Sequence, residues 1–458
     1  RRTTDFKTRF CKLGRMRFLY TLTLLFFSFN IFAQTKTLKT LALEYVDAKQ
    51  YIQAIEFIGE AERLNIDSAE NLLPIKLFCQ YKLKKHKAAK ETLQAIDEFD
   101  VAEPASDIIR FYYTAVDNNE EALAEESLEF IETDPQQFYK QLQVLNKKDI
   151  SMIAGKIRSY LDTQEQDEIP EYKSALAVIY FADSNYRECY NMLSTAIEDY
   201  PLGFSFYMLG KIKTLQQEYI SAISYFNQAE SHNFKTISLY KDRGIAKGFD
   251  KDFKGAIEDM DLCIQNDNSA ELYYLRAVFY TNLLQYDKAI IDINTAISID
   301  DTIAKYHNQK GIIFSNTEMY ADAIICFQTA ITLNRELNYI NNNLGIALEK
   351  AGFTAKAIEH YNINIKRHPY YADSYFNLGR IAYDANQYKQ AIKLLSKAND
   401  LNPKYSDIQY FLGMAYIKSE KLEQGCFYLE MAKENGNTNA TQAIEIYCIK
   451  ESSQDKEE

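Results

Sequence analysis

The strongest constraint on this chain is that it repeats itself. From Pro170 to Asn439 a pattern of 33 or 34 residues returns eight times, starting at Pro170, Gly203, Ile237, Ala270, Ala304, Asn338, Ala372 and Ser406. Small residues hold three phases of the pattern. The eighth position carries Ala177, Gly210, Gly244, Ala277, Gly311, Gly345, Gly379 and Gly413. The twentieth carries Cys189, Ala222, Ala256, Ala289, Ala323, Ala357, Ala391 and Gly425, and the twenty-seventh Ala196, Ala229, Cys263, Ala296, Ala330, Asn364, Ala398 and Ala432. Apolar residues between them recur at helical spacing, as in Tyr375, Leu378, Gly379 and Ala382, then Ala391, Leu395 and Ala398. Each unit therefore reads as two amphipathic helices joined by a polar turn, with small side chains where the helices approach closely. A helix of about 13 residues is marginal alone in water, so each depends on neighbours stacked on both sides. Such a chain grows by adding units, not by enlarging one globular core.

In the unit from Ala372 to Tyr405 the closing position is Pro403, and Pro201 and Pro369 close two others. The aromatic, the Leu-Gly pair, the three small residues and the closing proline together resemble the tetratricopeptide repeat family. That resemblance implies an all-α fold, a right-handed α-solenoid of stacked antiparallel helix pairs ended by a capping helix. It also implies a non-enzymatic scaffold without a cofactor, whose concave groove accepts a peptide or protein partner. In that family the second, fifth, ninth, twelfth and thirteenth positions face the groove, which here selects Tyr207, Lys241, Tyr274, Asn308, Tyr339, Asn342, Phe376, Arg380 and Tyr410, with Ser174, Phe204, Tyr383 and Lys418 beside them. The carboxylate clamp for chaperone C-termini is not reproduced: Asn343 fits it, but Asn308, Ile312, Asp373 and Asn377 do not. The alternative reading is an envelope solute- or glycan-binding subunit, related to nutrient-binding proteins that contain these repeats. That reading calls for a lipid-anchoring cysteine and long insertions between repeats, which this sequence lacks.

The flanks are less regular. Residues 34–103 read as two repeat-like pairs carrying Ala42, Tyr45, Ala54, Ile58 and Ala61, then Leu77, Ala89, Leu93 and Ile96. Over 104–169 helical periodicity persists but the small residues fall out of register, which predicts two divergent helix pairs and a polar joint near Thr163 to Pro170. The regular units occupy 170–439, a capping helix 440–450 and a polar tail 451–458. Residues 1–33 read as an upstream extension followed by a signal peptide starting at Met16, with an apolar run from Phe18 to Phe32 and cleavage after Ala33. An uncleaved anchor is the competing reading, but that run is short of the roughly 20 residues a bilayer core requires. The expected location is thus periplasmic or extracellular, with no stable membrane insertion after cleavage. Without its basic first 33 residues the formal charge moves from −12 to −18, which argues against a nucleic-acid partner.

No nucleophile elbow, phosphate loop or dinucleotide fingerprint appears, and every long segment is committed to helix pairs, so no enzymatic activity is expected. The five histidines are scattered and predict no metal site. Of seven cysteines, Cys11 precedes Met16, Cys189 and Cys263 fill small-residue positions, and Cys79 and Cys326 fall within helical patterns. Cys426 and Cys448 lie about ten residues before and about twelve after the Gly436 turn, so an antiparallel helix pair brings them level and a disulfide is expected between them.

Overall fold

The computed structural model describes residues 38–448, apart from 64–71, 100–103, 118, 165–168, 335 and 338. The expected signal peptide, residues 165–168 of the joint and the polar tail lie outside the described residues. Among the described residues there are 25 helices and no strand. No helix among them is long and apolar enough to cross a membrane. The chain forms two compact units, one ending at Ile212 and the other beginning at Lys213, with the division inside the helix Gly203–Leu215.

In the second unit the helix Tyr219–Ser231 is followed by six antiparallel pairs whose first helices are Ile237–Phe249, Ala270–Asn282, Ala304–Asn316, Ile340–Lys350, Ala372–Asp384 and Ser406–Lys418. The small residues act as their spacing predicts. A Cβ on Gly311 would lie 2.6 Å from Cε1 of Phe327, and on Gly345 2.5 Å from Cε1 of Tyr361. The eighth position is therefore the socket for a large buried side chain at the twenty-fourth. Where Ala277 holds the eighth position, the corresponding residue is the smaller Ile293. The turn between the two helices has its own rule, which composition hides. Lys251, Leu284, Glu318, Asn386 and Glu420 take φ values of 59° to 66°, and Gly352 takes 86°, all at the fifteenth position. Only Gly352 and Asn386 are residue types suited to that left-handed conformation, so stacking imposes it on the others at a cost of about 1 kcal/mol each.

A second recurrence stiffens two pairs. Arg243 donates to both carboxylate oxygens of Asp259 on its partner helix and to Glu230 on the preceding helix. One repeat later Arg276 does the same with Asp292 and Asp261. Asn364, the amide at a normally small position, is fully buried, and its Nδ2 donates to Ser374 Oγ at 2.9 Å.

The array closes with the helix Thr438–Tyr447, whose Ala440, Ala443 and Ile444 cover Leu429 and Ala432. Asn437 caps it, accepting from Ala440 N–H at 3.0 Å. Cys426 and Cys448 are joined in a disulfide, with Cα atoms 5.8 Å apart, which fastens this helix to Leu422–Glu434. Reduction is expected to free the capping helix first and to lower local stability by about 3 kcal/mol. Hydrogen exchange with and without reductant checks this; equal protection of Thr438–Tyr447 in both states would exclude a clamping role. The remaining described thiols are packing groups: burial pushes Cys79 up to about 11 and Cys263 up to about 12.

The first unit starts with the pairs Leu38–Asp47 with Tyr51–Arg63 and Leu73–Lys82 with His86–Phe99. Ala42, Ala54, Ile58, Leu77 and Ala89 are fully buried. The helices Pro104–Val116, Glu120–Thr133, Pro135–Leu142 and Lys147–Gln164 follow. Here packing is no longer confined to chain neighbours. The Tyr81 hydroxyl donates to Asp149 Oδ2 at 2.6 Å and accepts from Asn146 N–H at 3.0 Å, tying the second pair to a helix more than sixty residues on. Aromatic rings replace small residues as the organising groups: Phe111, Phe130 and Phe138 form one cluster, with Phe130 and Phe138 stacked at 4.8 Å.

Candidate functional site

In the second unit the first helices of successive pairs lie side by side in one layer, joined at the junction of Ile340–Lys350 and Ala372–Asp384 by side-chain hydrogen bonds. Side chains thirty to thirty-five residues apart meet along that layer, and these meetings separate structural positions from available ones.

Lys241 Nζ lies 3.1 Å from Glu271 Oε2, and Lys305 Nζ approaches the other oxygen of the same carboxylate at 3.7 Å. Lys305 also sits 4.9 Å from the centre of the Tyr274 ring and 5.6 Å from that of Tyr306, and those two rings are 5.2 Å apart. The three charged side chains are 34%, 47% and 37% exposed, so a ligand can reach them. Burial raises the Glu271 carboxyl, but the Lys241 hydrogen bond and the charges of both lysines outweigh it and hold the group below its usual range. Burial pushes the Tyr274 phenol up to about 12, so it stays protonated and able to donate. Tyr339 is half-buried nearby, and burial raises its phenol too, so it also stays protonated. The result is a partly open strip of two cations, one anion and the half-buried Tyr274 and Tyr339, backed by the buried Tyr306 and suited to charged and aromatic groups of an extended chain.

Toward the C-terminus Phe376 packs against Tyr405 and Phe411, and Tyr383 against Tyr388 and Phe411. Tyr410 lies edge-on to Phe411, and Lys418 stands 5.6 Å from the ring centre of Tyr447. These rings are half-buried, serving packing and surface together. Arg380 pairs with Glu349 and Asp384 and is 27% exposed, so its charge is already matched.

Three groove candidates are corrected by the structure. Asn308 is buried and accepts from Asn343 Nδ2 at 3.0 Å. Asn342 is buried and accepts from Ser374 Oγ at 3.2 Å and Asn377 Nδ2 at 3.1 Å. Their amide oxygens hold adjacent helices together and are not presented to a partner. Tyr207, in the first unit, is 6% exposed, stacked on Phe204 with Lys211 over its ring. Ser174 and Phe204 are buried likewise. Sequence reasoning missed Glu271 and Lys305, although opposite charges at the second positions of consecutive units were a legible signal. It also missed Arg243 and Arg276, whose pairing recurs after one repeat.

Stacked two-helix repeats with a side-chain-lined inner layer define an α-helical scaffold. The tetratricopeptide repeat family matches residues 270–302, 304–337, 342–406 and 382–441, and the chain is a tetratricopeptide repeat protein. This fold is, in general, a protein–protein interaction scaffold. Similar solved structures include a tetratricopeptide repeat protein from Parabacteroides merdae, at 17% identity over 54% of this chain and 98% of that one, with a TM-score of 0.49. The Cut9-Hcn1 hetero-tetramer of APC/C shares 14% identity over 89% of each chain, with a TM-score of 0.45. YrrB, described as having an unusual peptide-binding site, shares 20% identity over 42% of this chain and 97% of that one, with a TM-score of 0.31. No curated protein matches the sequence.

Proposed function

We propose that this protein is a non-enzymatic scaffold, exported from the cytoplasm, that holds an extended segment of a protein partner along the inner layer of its second unit. The observation carrying this is the open strip of Lys241, Glu271 and Lys305 beside Tyr274 and Tyr339. An acidic side chain of the partner replaces Glu271 as counter-ion to one lysine, while Tyr274, Tyr339 and the half-buried Phe376 and Tyr410 supply contact area at low entropic cost. Export is supported by the apolar run ahead of Ala33 and by the Cys426–Cys448 bond, a linkage that persists in oxidising compartments.

The test is an array of extended peptides, acidic, basic and neutral, probed with the full chain. Acidic peptides are expected to bind, and Lys241→Glu with Lys305→Glu to abolish that binding, since neither lysine is in the core. Tyr274→Ala with Phe376→Ala is expected to cost about 2 kcal/mol or more of binding while helicity is kept. Unchanged affinity in both variants would remove this strip from the binding surface. N-terminal sequencing of protein from its natural source tests export separately, an intact Met16 counting against it.

A further inference from the structure

The second helix of each pair turns one face to the stack and the other to solvent, where charged side chains are expected. At the twenty-second position of the repeat, on that solvent face, Glu258, Glu359 and Lys393 meet the expectation. The two repeats that follow Glu258 do not. They carry Ile291 and Ile325, which are 64% and 61% exposed, and eight residues further on the exposed Ile299 and Leu333. The helices Tyr286–Ile299 and Tyr320–Leu333 thus share one aliphatic pair, spaced about 12 Å along each axis.

The hydroxyls between these side chains are spent at home. Thr295 Oγ1 donates to the Ile291 carbonyl at 3.0 Å and Ser298 Oγ to that of Thr295 at 2.7 Å; one repeat later Thr329 and Thr332 donate to Ile325 and Thr329 at the same two distances. No exposed charge stands in 291–299 or 325–333, since Asp292 is buried and paired with Arg276. The twenty-sixth position is uncharged over four consecutive repeats, as the exposed Leu262, Thr295, Thr329 and the half-buried Ile363. Exposed aliphatic residues are ordinary when they are scattered. Four of them in a repeated pattern, with the charges withdrawn, mark a surface that another molecule covers.

We infer that two copies of this chain associate through these outer stripes in an isologous, antiparallel contact centred on Thr295 and Thr329. The pattern reads alike in both directions from the twenty-sixth position, so a second copy turned end for end sets Ile291 against Ile299 and Ile325 against Leu333. Both stripes engage together, because the second copy carries them at the same separation. The rim charges select this orientation. On the next second helix, Thr354–Arg367, Glu359 comes opposite the partner helix's basic end at Lys366, whereas a parallel arrangement would oppose Glu359 to Glu258. Lys241, Glu271 and Lys305 stand on first helices and stay uncovered, so the dimer holds two strips and grips a partner with two matching segments more tightly.

Sedimentation equilibrium of the full chain over a concentration series is expected to return twice the mass of one chain. Ile291→Glu with Ile325→Glu is expected to halve that mass while leaving the urea transition and peptide binding as in the parent, since both positions are exposed and neither lies on a first helix. The register has its own test, which also decides the matter if that variant does not fold. Thr295→Cys is expected to give a disulfide-linked dimer on mild oxidation, with the parent, which carries Cys326, treated alike as control. Ile291→Cys is not, because its counterpart in the second copy lies about 12 Å away along the helix. A parent that stays monomeric throughout would overturn the inference and leave the stripes to an unlike polypeptide. A dimer that survives Ile291→Glu with Ile325→Glu, or equal cross-linking of the two cysteine variants, would overturn it as well.

Discussion

The Tyr361→Ala protein is expected to lose about 3–5 kcal/mol of stability in the helix pair Ile340–Lys350 and Thr354–Arg367. Tyr361 is the largest fully buried side chain in the described structure, and its ring occupies the space left by Gly345. Its hydroxyl adds a long hydrogen bond to Glu349, at 3.3 Å, so most of the loss is cavity and buried area. The reciprocal change, Gly345→Ala, drives a methyl group into the ring and is expected to cost about 1–3 kcal/mol. Together with Tyr361→Ile, however, it recreates the combination already present at Ala277 and Ile293. The double variant should therefore be more stable than the sum of the two single changes by about 1–3 kcal/mol. Hydrogen exchange of Ile340–Arg367 against Tyr219–Ser231 is the appropriate measure, because a defect in a stacked array opens locally. Strict additivity would show that the eighth and twenty-fourth positions do not determine each other.

Removing the Arg243 guanidinium is expected to be nearly as damaging. Arg243→Met leaves the Asp259 carboxylate, 2% exposed, with Lys247 at 2.9 Å as its remaining ion-pair partner, and it also strips Glu230 and Asn227 of a donor. Breaking a buried pair on one side costs about 3–5 kcal/mol, whereas replacing both partners by apolar residues is often neutral. Arg243→Met with Asp259→Leu should accordingly recover most of the loss in urea unfolding. Arg243→Lys should not, since a lysine cannot form the forked pair with Asp259 while reaching Glu230. The same change at Arg276, whose side chain is 18% exposed, is expected to cost less. If Arg243→Met unfolds at the parent's urea concentration, the clamp contributes nothing and its recurrence is incidental.

Periodicity alone determined that this chain is a stack of helix pairs, because a repeating pattern of small and apolar residues has one phase on a helix and one way to bury it. It placed the first-helix starts at Pro170, Gly203, Ile237, Ala270, Ala304, Ala372 and Ser406, where the structure has them, while the Asn338 unit opens its helix at Ile340. What periodicity leaves open is how each exposed-phase side chain is spent. Asn308, Asn342 and Lys241 share the fifth position, yet the first two bond to Asn343, Ser374 and Asn377 and the third remains half-open beside Glu271. The difference lies in which residue stands opposite on the next first helix, thirty or more positions away, and only the three-dimensional stack brings that pair together. Likewise Leu284 and Glu318 carry no turn signal, but the angle between packed helices holds them at positive φ.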